Sequence, residues 1–275
     1  MEPFSFEPGP NIAFYVWIIP ITWYGILVVS GFAMATCVAW IEWTKKNKGQ
    51  WEFITILSTG IIVSIWGARL WYIVFNPVEV FQHVSSFLDV LLVFFNIGTG
   101  RSIMGSIFFV TIWLYCYQRF ISPKTNWRES IDIILPAMLI SQAIGRWGNF
   151  ANHQIFGQVI DGDSLNFLPQ FIKNNMYING EYRQPLFLYE SFANMIAFAA
   201  IFTLKIYPKN INDGFYGAMF ILLYGIIRAI MEPLRDPMYQ MHWGPILTSF
   251  WSAIIFSIIG ISSMIYFQQK PIVKI

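Results

Sequence analysis

Long runs of apolar residues, separated by short polar segments, dominate the pattern along the chain. A transmembrane helix needs about 20 consecutive apolar residues, and about seven runs approach that length. The uncharged run from Pro8 to Ile41 is divided by Pro20, so we interpret Asn11–Ile19 as a surface or re-entrant piece. The predicted spans are Ile21–Trp43, Phe53–Phe75, Ile103–Tyr117, Ile131–Ile144, Pro185–Leu204, Phe215–Ile230 and Pro245–Phe267. We therefore predict an all-α polytopic membrane protein with about seven transmembrane helices.

Basic residues are distributed unevenly over the segments that connect these spans. Segments on one side of the alternating path carry Lys45, Lys46, Lys48, Arg119, Lys124, Arg128, Lys205, Lys209, Lys270 and Lys274. The positive-inside rule assigns such a side to the cytoplasm. We therefore expect the N-terminus outside and the C-terminus inside.

The longest polar connection lies on the outer side and is rich in Asn, Gln, Asp and Gly. A loop of this length can hold small strands or short helices and is often functional. We predict that residues 146–183 form a small extracytoplasmic head loop. It lies within a single transmembrane domain that covers residues 1–275.

Composition agrees with a membrane protein and narrows the functional classes. Hydrophobic residues make up 56% of the chain and charged residues 12%, about half the charged share of a soluble domain. The net charge of +2 gives no indication of nucleic-acid binding. The two cysteines, Cys37 and Cys116, form neither a disulfide framework nor a zinc spacing. We expect no metal and no other cofactor.

A polar motif, GRWGNFANHQIFG, closes the outer end of the fourth span at Gly145–Gly157. Arg146, Asn149 and Asn152 follow one another at three-residue spacing, so a helical turn places them on one side. The arginine supplies charge, while the asparagine amides donate and accept hydrogen bonds. Gly157 allows close approach of the backbone. The motif therefore predicts one wall of a polar site.

A second polar motif, YGIIRAIMEPLRDP, lies in the outer half of the sixth span. Tyr224, Arg228, Glu232 and Arg235 fall on one narrow stripe of a helix. We expect Glu232 to pair with Arg228 or Arg235 and to hold its guanidinium in place. We also expect the two prolines to bend or end the helix. A purely structural ion network is the alternative interpretation.

Arginines also recur elsewhere on the outer side of the predicted path. Arg69 lies in GARLWY of the second span and Arg101 in GTGRSIMGS before the third span. Tyr24 belongs to WYG at the start of the first span, and Glu190 enters an apolar run in QPLFLYES. Guanidinium groups pair bidentately with phosphate, and intramembrane charges are expected to face an interior site. We therefore predict a shared anion site, with arginines snorkelling at helix ends as the alternative.

Together these motifs resemble the prolipoprotein diacylglyceryl transferase family. The chain reads GRWGNFANHQIFG where that family has a pattern similar to GRxGNFxNxExxG, so Gln154 replaces its glutamate. Its YGxxRxxxExxR block is matched from Tyr224 to Arg235. WYG, GxRxxY and the LYE of QPLFLYE occur in the same order, and the resemblance covers nearly the whole chain. It implies an enzyme of the bacterial cytoplasmic (inner) membrane that needs no cofactor.

The resemblance also implies a reaction and its partners. The diacylglyceryl group of phosphatidylglycerol moves to the lipobox cysteine thiol of a prolipoprotein, a thioether forms, and glycerol phosphate leaves. Membrane lipids are further partners. The catalytic residues implied are Arg146, Arg228, Glu232 and Tyr24. The substrate-binding residues implied are Asn149, Asn152, Gln154, Gly157, Arg101, Tyr224, Arg235 and Arg69.

The chain departs from the family pattern in ways that bear on the proton acceptor. Many members have a histidine where this chain has Met104, and the His and Gln of HPxQLYE are Gln184 and Phe187 here. The thiol proton would then pass to Glu232, to Tyr24 or to water near the arginines. The alternative function is a catalytically inactive or altered phospholipid-binding paralogue, with a transporter on the same scaffold as a third hypothesis.

Overall fold

The computed structural model describes residues 11–17, 19–82, 86–95, 102–122, 126–207, 211–240, 242–243 and 246–269. Within these residues the chain is mostly helical. The long helices are α1 (Trp23–Lys45), α2 (Gln50–Phe75), α5 (Ile103–Phe120), α6 (Trp127–Ala151), α8 (Leu186–Ile206), α9 (Phe215–Met231) and α10 (Thr248–Gln269). The short helices are α3 (Pro77–Phe81), α4 (Phe87–Phe95) and α7 (Gln170–Asn175).

Five of these helical segments are long and apolar enough to cross a membrane: α1, α2, α8, α10 and the stretch Phe215–Leu234 that contains α9. The chain therefore has the helices of a multi-pass membrane protein. Helices α5 and α6 coincide with two further predicted spans but are not among those five. Four charged residues occur in α6, namely Arg128, Glu129, Asp132 and Arg146. The seven-span path stays a prediction.

The outer faces of the long helices are apolar, which is the opposite of a soluble bundle. Large exposed side chains include Val29 on α1, Ile62 on α2, Ile196 on α8 and Ile258 on α10. Contiguous apolar surface of this kind is rare on soluble monomers, where it marks an interaction site. Lipid can surround this apolar surface without a cost in solvation free energy, because acyl chains are as apolar as these side chains.

Helix α6 lies at the centre of the bundle and packs against α1, α8 and α9. Its inward face buries Leu135, Leu139 and Ala143, whose side chains make close van der Waals contacts with the neighbouring helices. This arrangement brings the C-terminal end of α6 next to the beginning of α8 and the end of α9. Those three helix ends carry the polar motifs of the sequence.

Helices α9 and α10 approach closely because small residues line their contact. A Cβ atom added to Gly225 would lie 2.7 Å from the Ala253 carbonyl oxygen, and one added to Gly260 would lie 2.5 Å from the Leu222 nitrogen. Such distances leave no space for any side chain. The glycines therefore set the separation of the two helices, as small residues commonly do in membranes.

The chain contains short strands as well, which corrects the expectation of an all-α fold. The described residues form three two-stranded antiparallel hairpins. They are β1–β2 (Ile12–Val16 and Ile19–Thr22), β3–β4 (Tyr177–Ile178 and Glu181–Tyr182) and β5–β6 (His242–Trp243 and Ile246–Leu247). The segment interpreted as a surface or re-entrant piece, Asn11–Ile19, contains β1 and the first residue of β2. Alternation is weak in such short strands, so their sequences do not stand out.

The predicted head loop has local structure of its own. It contains a 3₁₀ turn at Gly162–Leu165, helix α7 and the β3–β4 hairpin. A second hydrophobic cluster stabilises it, consisting of Phe156, Leu165, Ile172, Met176, Ile178, Phe187 and Leu188. Because Phe187 and Leu188 belong to α8, this cluster attaches the loop to the bundle above the helix ends. Its position outside the membrane stays a prediction.

Candidate active site

At the end of α9, three charged residues of the second polar motif form one compact cluster: Arg228, Glu232 and Arg235. Helix α9 ends at Met231, and Pro233 lies in the 3₁₀ turn that follows at Glu232–Leu234. Proline lacks the N–H that would continue the helical ladder. The prediction that the prolines end this helix is confirmed.

Glu232 lies between two arginines of the same segment. Its Oε2 atom is 3.0 Å from Nη2 of Arg228 and 3.3 Å from Nε of Arg235. The glutamate is fully buried, with 0% of its surface exposed. The expected pairing is therefore confirmed, and it involves both arginines at once.

Glu190 of α8 connects this cluster to the first polar motif. Its Oε1 accepts a hydrogen bond from Nη2 of Arg235 at 3.0 Å, and its Oε2 forms an ion pair with Nη2 of Arg146 on α6. We call the resulting series of alternating charges the ion chain: Arg146, Glu190, Arg235, Glu232 and Arg228. Three helix ends thus converge on two carboxylates.

Hydrogen bonds between α6 and α8 fix the register of this convergence. Ser191 donates from Oγ to the Ala143 carbonyl at 3.0 Å, and Trp147 donates from Nε1 to Ser191 Oγ at 3.2 Å. Ser191 directly follows Glu190 in the chain and Trp147 directly follows Arg146, so these contacts flank the ion pair of Arg146 with Glu190. Because a hydroxyl or indole left unpaired in the bundle is costly, these bonds hold the two charged side chains opposite each other.

The ion chain carries a surplus of one positive charge, because three guanidinium groups face two carboxylates. Its centre is closed to solvent, since the Arg235 side chain is only 4% exposed. Its two ends are more open, with the side chains of Arg146 and Arg228 13% and 15% exposed. A buried charge is tolerated only when it is paired. The ion chain therefore has one uncompensated positive charge and two accessible ends, a combination suited to binding a monovalent anion.

Of the two asparagines of the first motif, Asn149 contacts Arg146. Arg146 donates from Nη1 to Oδ1 of Asn149 at 3.4 Å. Asn152 caps the C-terminal end of α6 and accepts a hydrogen bond from the backbone N–H of Asn11 at 3.2 Å. Both asparagines are buried. Asn149 is thus a direct neighbour of the ion chain, while Asn152 contacts the segment before α1.

Tyr24 packs against the same motif from α1. A Cβ atom added to Gly148 would lie 2.9 Å from Cδ2 of the Tyr24 ring, so the glycine makes room for the aromatic ring. Tyr24 is partly exposed. The first turn of α1, whose N-cap Thr22 accepts a hydrogen bond from the Gly25 N–H at 3.1 Å, therefore holds this phenol beside the end of α6.

Gly157 is closely packed, whereas the side chain of Gln154 is exposed. Gly157 donates its N–H to the Gln184 carbonyl at 3.0 Å, and an added Cβ would lie 2.6 Å from Cβ of Gln184 and 3.0 Å from the Leu234 carbonyl oxygen. It therefore joins the head loop to α8 and to the turn after α9. Gln154 is exposed and donates its N–H to the Asn149 carbonyl at 2.9 Å.

The remaining predicted site residues are Tyr224, Arg69 and Arg101. Tyr224 is buried in α9 between the rings of Phe220 and Phe256, with centroid distances of 6.1 and 6.3 Å. Arg69 of α2 donates from Nε and Nη2 to the Val93 carbonyl of α4 at 3.1 and 2.8 Å. Arg101 lies outside the described residues.

Glu190 was noticed in the sequence but was not among the candidate site residues. A carboxylate within the apolar run of α8 was the available signal, because a buried acid requires a partner. Met104 is buried in α5, and its Sδ accepts a hydrogen bond from Ser252 Oγ of α10 at 3.0 Å. No group of three His, Cys, Asp or Glu side chains that could hold a metal ion occurs in the described part of the chain.

Comparison with known proteins identifies a matching family and several relatives of this chain. The family model described as prolipoprotein diacylglyceryl transferase matches residues 11–266. A phosphatidylglycerol–prolipoprotein diacylglyceryl transferase of Streptococcus sanguinis is 33% identical over 98% of this chain and 97% of its own length. Proteins of the same name from Streptococcus agalactiae and Lactococcus lactis are 34% and 30% identical, covering 91% and 97% of this chain and 93% and 98% of their own.

Proposed function

Because the chain belongs to the prolipoprotein diacylglyceryl transferase family, we propose that it transfers a diacylglyceryl group from phosphatidylglycerol to a prolipoprotein. The relatives that it matches over nearly their whole length carry that activity in their names. The acceptor is the thiol of the lipobox cysteine, and the products are a thioether and glycerol phosphate.

The ion chain is the observation that carries this proposal. Its surplus of one positive charge matches the single negative charge of a phosphodiester, and Arg146 and Arg228 are its accessible ends. Arginine presents a planar fork that binds phosphate oxygens bidentately. Glu190 and Glu232 hold the guanidinium groups in place. Asn149 and Asn152 line the same end of α6.

The proposed reaction is a displacement at carbon. The cysteine sulfur bonds to the glyceryl carbon that bears the phosphate, the C–O bond at that carbon breaks, and glycerol phosphate leaves. The leaving phosphate gains negative charge, which the fixed guanidinium groups of Arg146 and Arg228 stabilise in the transition state. A thiolate is also favoured close to cationic groups.

The thiol must lose its proton, and the site offers three acceptors. Glu232 is fully buried between two arginines, so we assign it to orienting Arg228 and Arg235. Tyr24 is partly exposed beside the end of α6, and water reaches the open ends of the ion chain. We propose that the proton leaves through Tyr24 or water.

The membrane arrangement belongs to the same proposal. We place this bacterial protein in the cytoplasmic membrane with seven spans, the N-terminus outside and the C-terminus inside, and the head loop 146–183 outside as part of one domain. Prolipoproteins that have crossed the membrane would meet the site there. The apolar faces of α8 and α10 would contact membrane lipids.

The test is transfer of labelled diacylglyceryl from phosphatidylglycerol to a lipobox peptide by the purified protein in detergent. We expect product with a lipobox cysteine and none when serine replaces it. Arg146→Ala and Arg228→Ala should each lower the rate by about 10²–10³-fold, since each removes a charge that stabilises the transition state.

Arg119→Ala is the matched control, because Arg119 is exposed at the far end of α5, and it should keep full activity. Near-normal transfer by both site variants would contradict the proposal. Binding of phosphatidylglycerol without any transfer by the unaltered protein would instead identify a phospholipid-binding paralogue.

A further inference from the structure

Two amide side chains, each one helical turn from a member of the ion chain, carry a buried atom without a hydrogen-bond partner. Asn194 of α8 is 2% exposed, and its Oδ1 is unpaired. Gln142 of α6 has an inaccessible Nε2 that is also unpaired. A buried polar group without a partner is costly, and most of their neighbours in these apolar helices are hydrophobic. We call these two side chains the amide layer.

The amide layer lies one helical turn from the ion chain. Gln142 precedes Arg146 by four residues, and Asn194 follows Glu190 by four residues. Residues four apart share one face of a helix, so each amide lies on the face that carries its charged neighbour. Arg146 and Glu190 pair directly, and therefore both amides lie on the facing sides of α6 and α8.

The amide layer lies closer to the interior of the bundle than the ion chain does. Gln142 lies on the N-terminal side of Arg146 in α6, and Asn194 lies on the C-terminal side of Glu190 in α8. Both amides are therefore farther than the ion chain from the end of the bundle that carries the head loop and the turn after α9. A lipid whose phosphate binds at the ion chain extends its glyceryl ester region in the same direction.

We propose that the amide layer binds an ester carbonyl of the diacylglyceryl group, an inference that rests on the proposed function. In a glycerophospholipid, about five bonds of about 1.5 Å each separate the phosphorus from an ester carbonyl carbon. That separation is comparable to one helical turn of about 5.4 Å. The amide layer therefore lies at the depth where a bound substrate presents its carbonyl.

Both amide side chains can donate hydrogen bonds to an ester carbonyl oxygen. A carbonyl oxygen has two lone pairs, and each amide provides two N–H donors. Gln142 already presents an unpaired Nε2. Rotation of the Asn194 amide about χ2 exchanges Oδ1 for Nδ2 and presents a second donor. Gln142 and Asn194 would then select lipids that have ester linkages.

The experiment compares transfer from diester phosphatidylglycerol with transfer from its diether analogue, which lacks the carbonyl oxygens. We expect the unaltered protein to prefer the diester by about three- to tenfold in kcat/KM, the contribution of one hydrogen bond. Asn194→Leu and Gln142→Leu should each slow transfer from the diester while leaving transfer from the diether unchanged.

Gln118→Leu is the control, because this buried glutamine bonds Ser130 at 2.8 Å elsewhere in the bundle and its variant should keep the preference for the diester. Equal rates with both lipids in the unaltered protein would overturn the inference without any variant. Equal losses for both lipids in the two amide variants would overturn it too, and would indicate a structural role for these amides.

Failure of the proposed function remains distinguishable from failure of this inference. If the unaltered protein transfers from neither lipid, the proposed function is wrong, and equilibrium binding of the same two lipids then tests the amide layer alone. Tighter binding of the diester that disappears in Asn194→Leu would support the layer. Equal binding of both lipids would overturn it.

Discussion

Glu190 illustrates how a single carboxylate organises the site at the scale of one residue. Its two oxygens contact guanidinium groups from two different segments, Arg146 on α6 and Arg235 after α9. Without it, the buried Arg235 and the partly exposed Arg146 would both lose a counter-charge. Removal of one member of a buried ion pair commonly costs several kcal/mol, because the remaining charge stays desolvated.

We expect Glu190→Gln to lower the transfer rate by about 100-fold or more, since both arginines lose their shared counter-charge. The measurement is kcat/KM for diacylglyceryl transfer by protein of verified helicity. Glu181→Gln is the control, because Glu181 is exposed on the head loop, where it pairs with Arg183. An active Glu190→Gln variant would show that the ion chain does not need this carboxylate.

His153 provides a prediction about pH and stability. It is buried in the head loop, where its Nε2 lies 3.2 Å from Oδ1 of Asn175. Burial lowers the pKa of His153 below its ordinary value, although the contact with Asn175 acts in the opposite direction. The unfolded chain therefore binds a proton at a pH at which the folded head does not. The head should lose stability as pH falls below about 6.5.

Thermal unfolding of the purified protein between pH 8 and pH 5 measures this effect. His153→Gln retains an amide that can bond Asn175 but does not titrate. Its melting temperature should consequently depend less on pH than that of the unaltered protein. The same pH dependence in both proteins would show that other groups control acid stability.

At the scale of elements, the contact between α9 and α10 determines where the second polar motif lies. Gly225 lies in α9 three residues before Arg228, and an added Cβ would approach Ser257 Oγ to 2.5 Å and the Ala253 carbonyl oxygen to 2.7 Å. Backbone on the facing helix cannot move away locally. A larger residue would therefore separate the two helices and displace the end of α9 with its arginine.

Gly225→Ala should destabilise the protein by about 1–3 kcal/mol, the usual cost of overpacking, and should reduce transfer activity as well. Gly49→Ala is the matched substitution, because nothing lies within 4 Å of a Cβ added at Gly49. Thermal unfolding and transfer activity of both variants provide the comparison. A Gly225→Ala variant as stable as the unaltered protein would show that α10 can move without cost.

At the scale of the whole molecule, charged residues are sorted to two ends of the bundle. At one end, Lys46 and Lys48 near the end of α1 pair with Glu129 at the start of α6, at 3.2 and 2.9 Å. Lys205 near the end of α8 pairs with Glu42 of α1 at 2.6 Å. The ion chain occupies the other end. This sorting supports the alternating path that the positive-inside rule predicts.

Cysteine labelling in intact cells tests the orientation of these ends. In a background with Cys37 and Cys116 replaced, Gln158→Cys in the exposed head loop should react with a membrane-impermeant maleimide. Asn47→Cys, which is exposed between α1 and α2, should react only after the membrane is permeabilised. The opposite result would reverse the orientation, and reaction of both sites would contradict a membrane barrier between them.

The sequence alone predicted the helices well because apolar runs in a membrane protein are long and nearly continuous. Each of the seven predicted spans overlaps a long helix, and the ends differ by at most three residues except in α6, which extends four residues before and seven residues beyond its predicted span. It did not reveal the three hairpins, since strands of two to five residues carry too little alternation to be recognised. The head was anticipated from its length and polarity, but its own hydrophobic cluster was not.

The sequence by itself determined the membrane class, the two polar motifs and the pairing of Glu232 with neighbouring arginines, because all of these depend on composition or on spacing within one helix. Only the tertiary structure decided that Glu190 joins Arg146 to Arg235, and that Gln142 and Asn194 lie unpaired one turn away. Contacts between different helices depend on which faces pack together and in which register. Side-chain pairs distant in sequence have no local signal, so their proximity emerges only when α6, α8 and α9 are assembled.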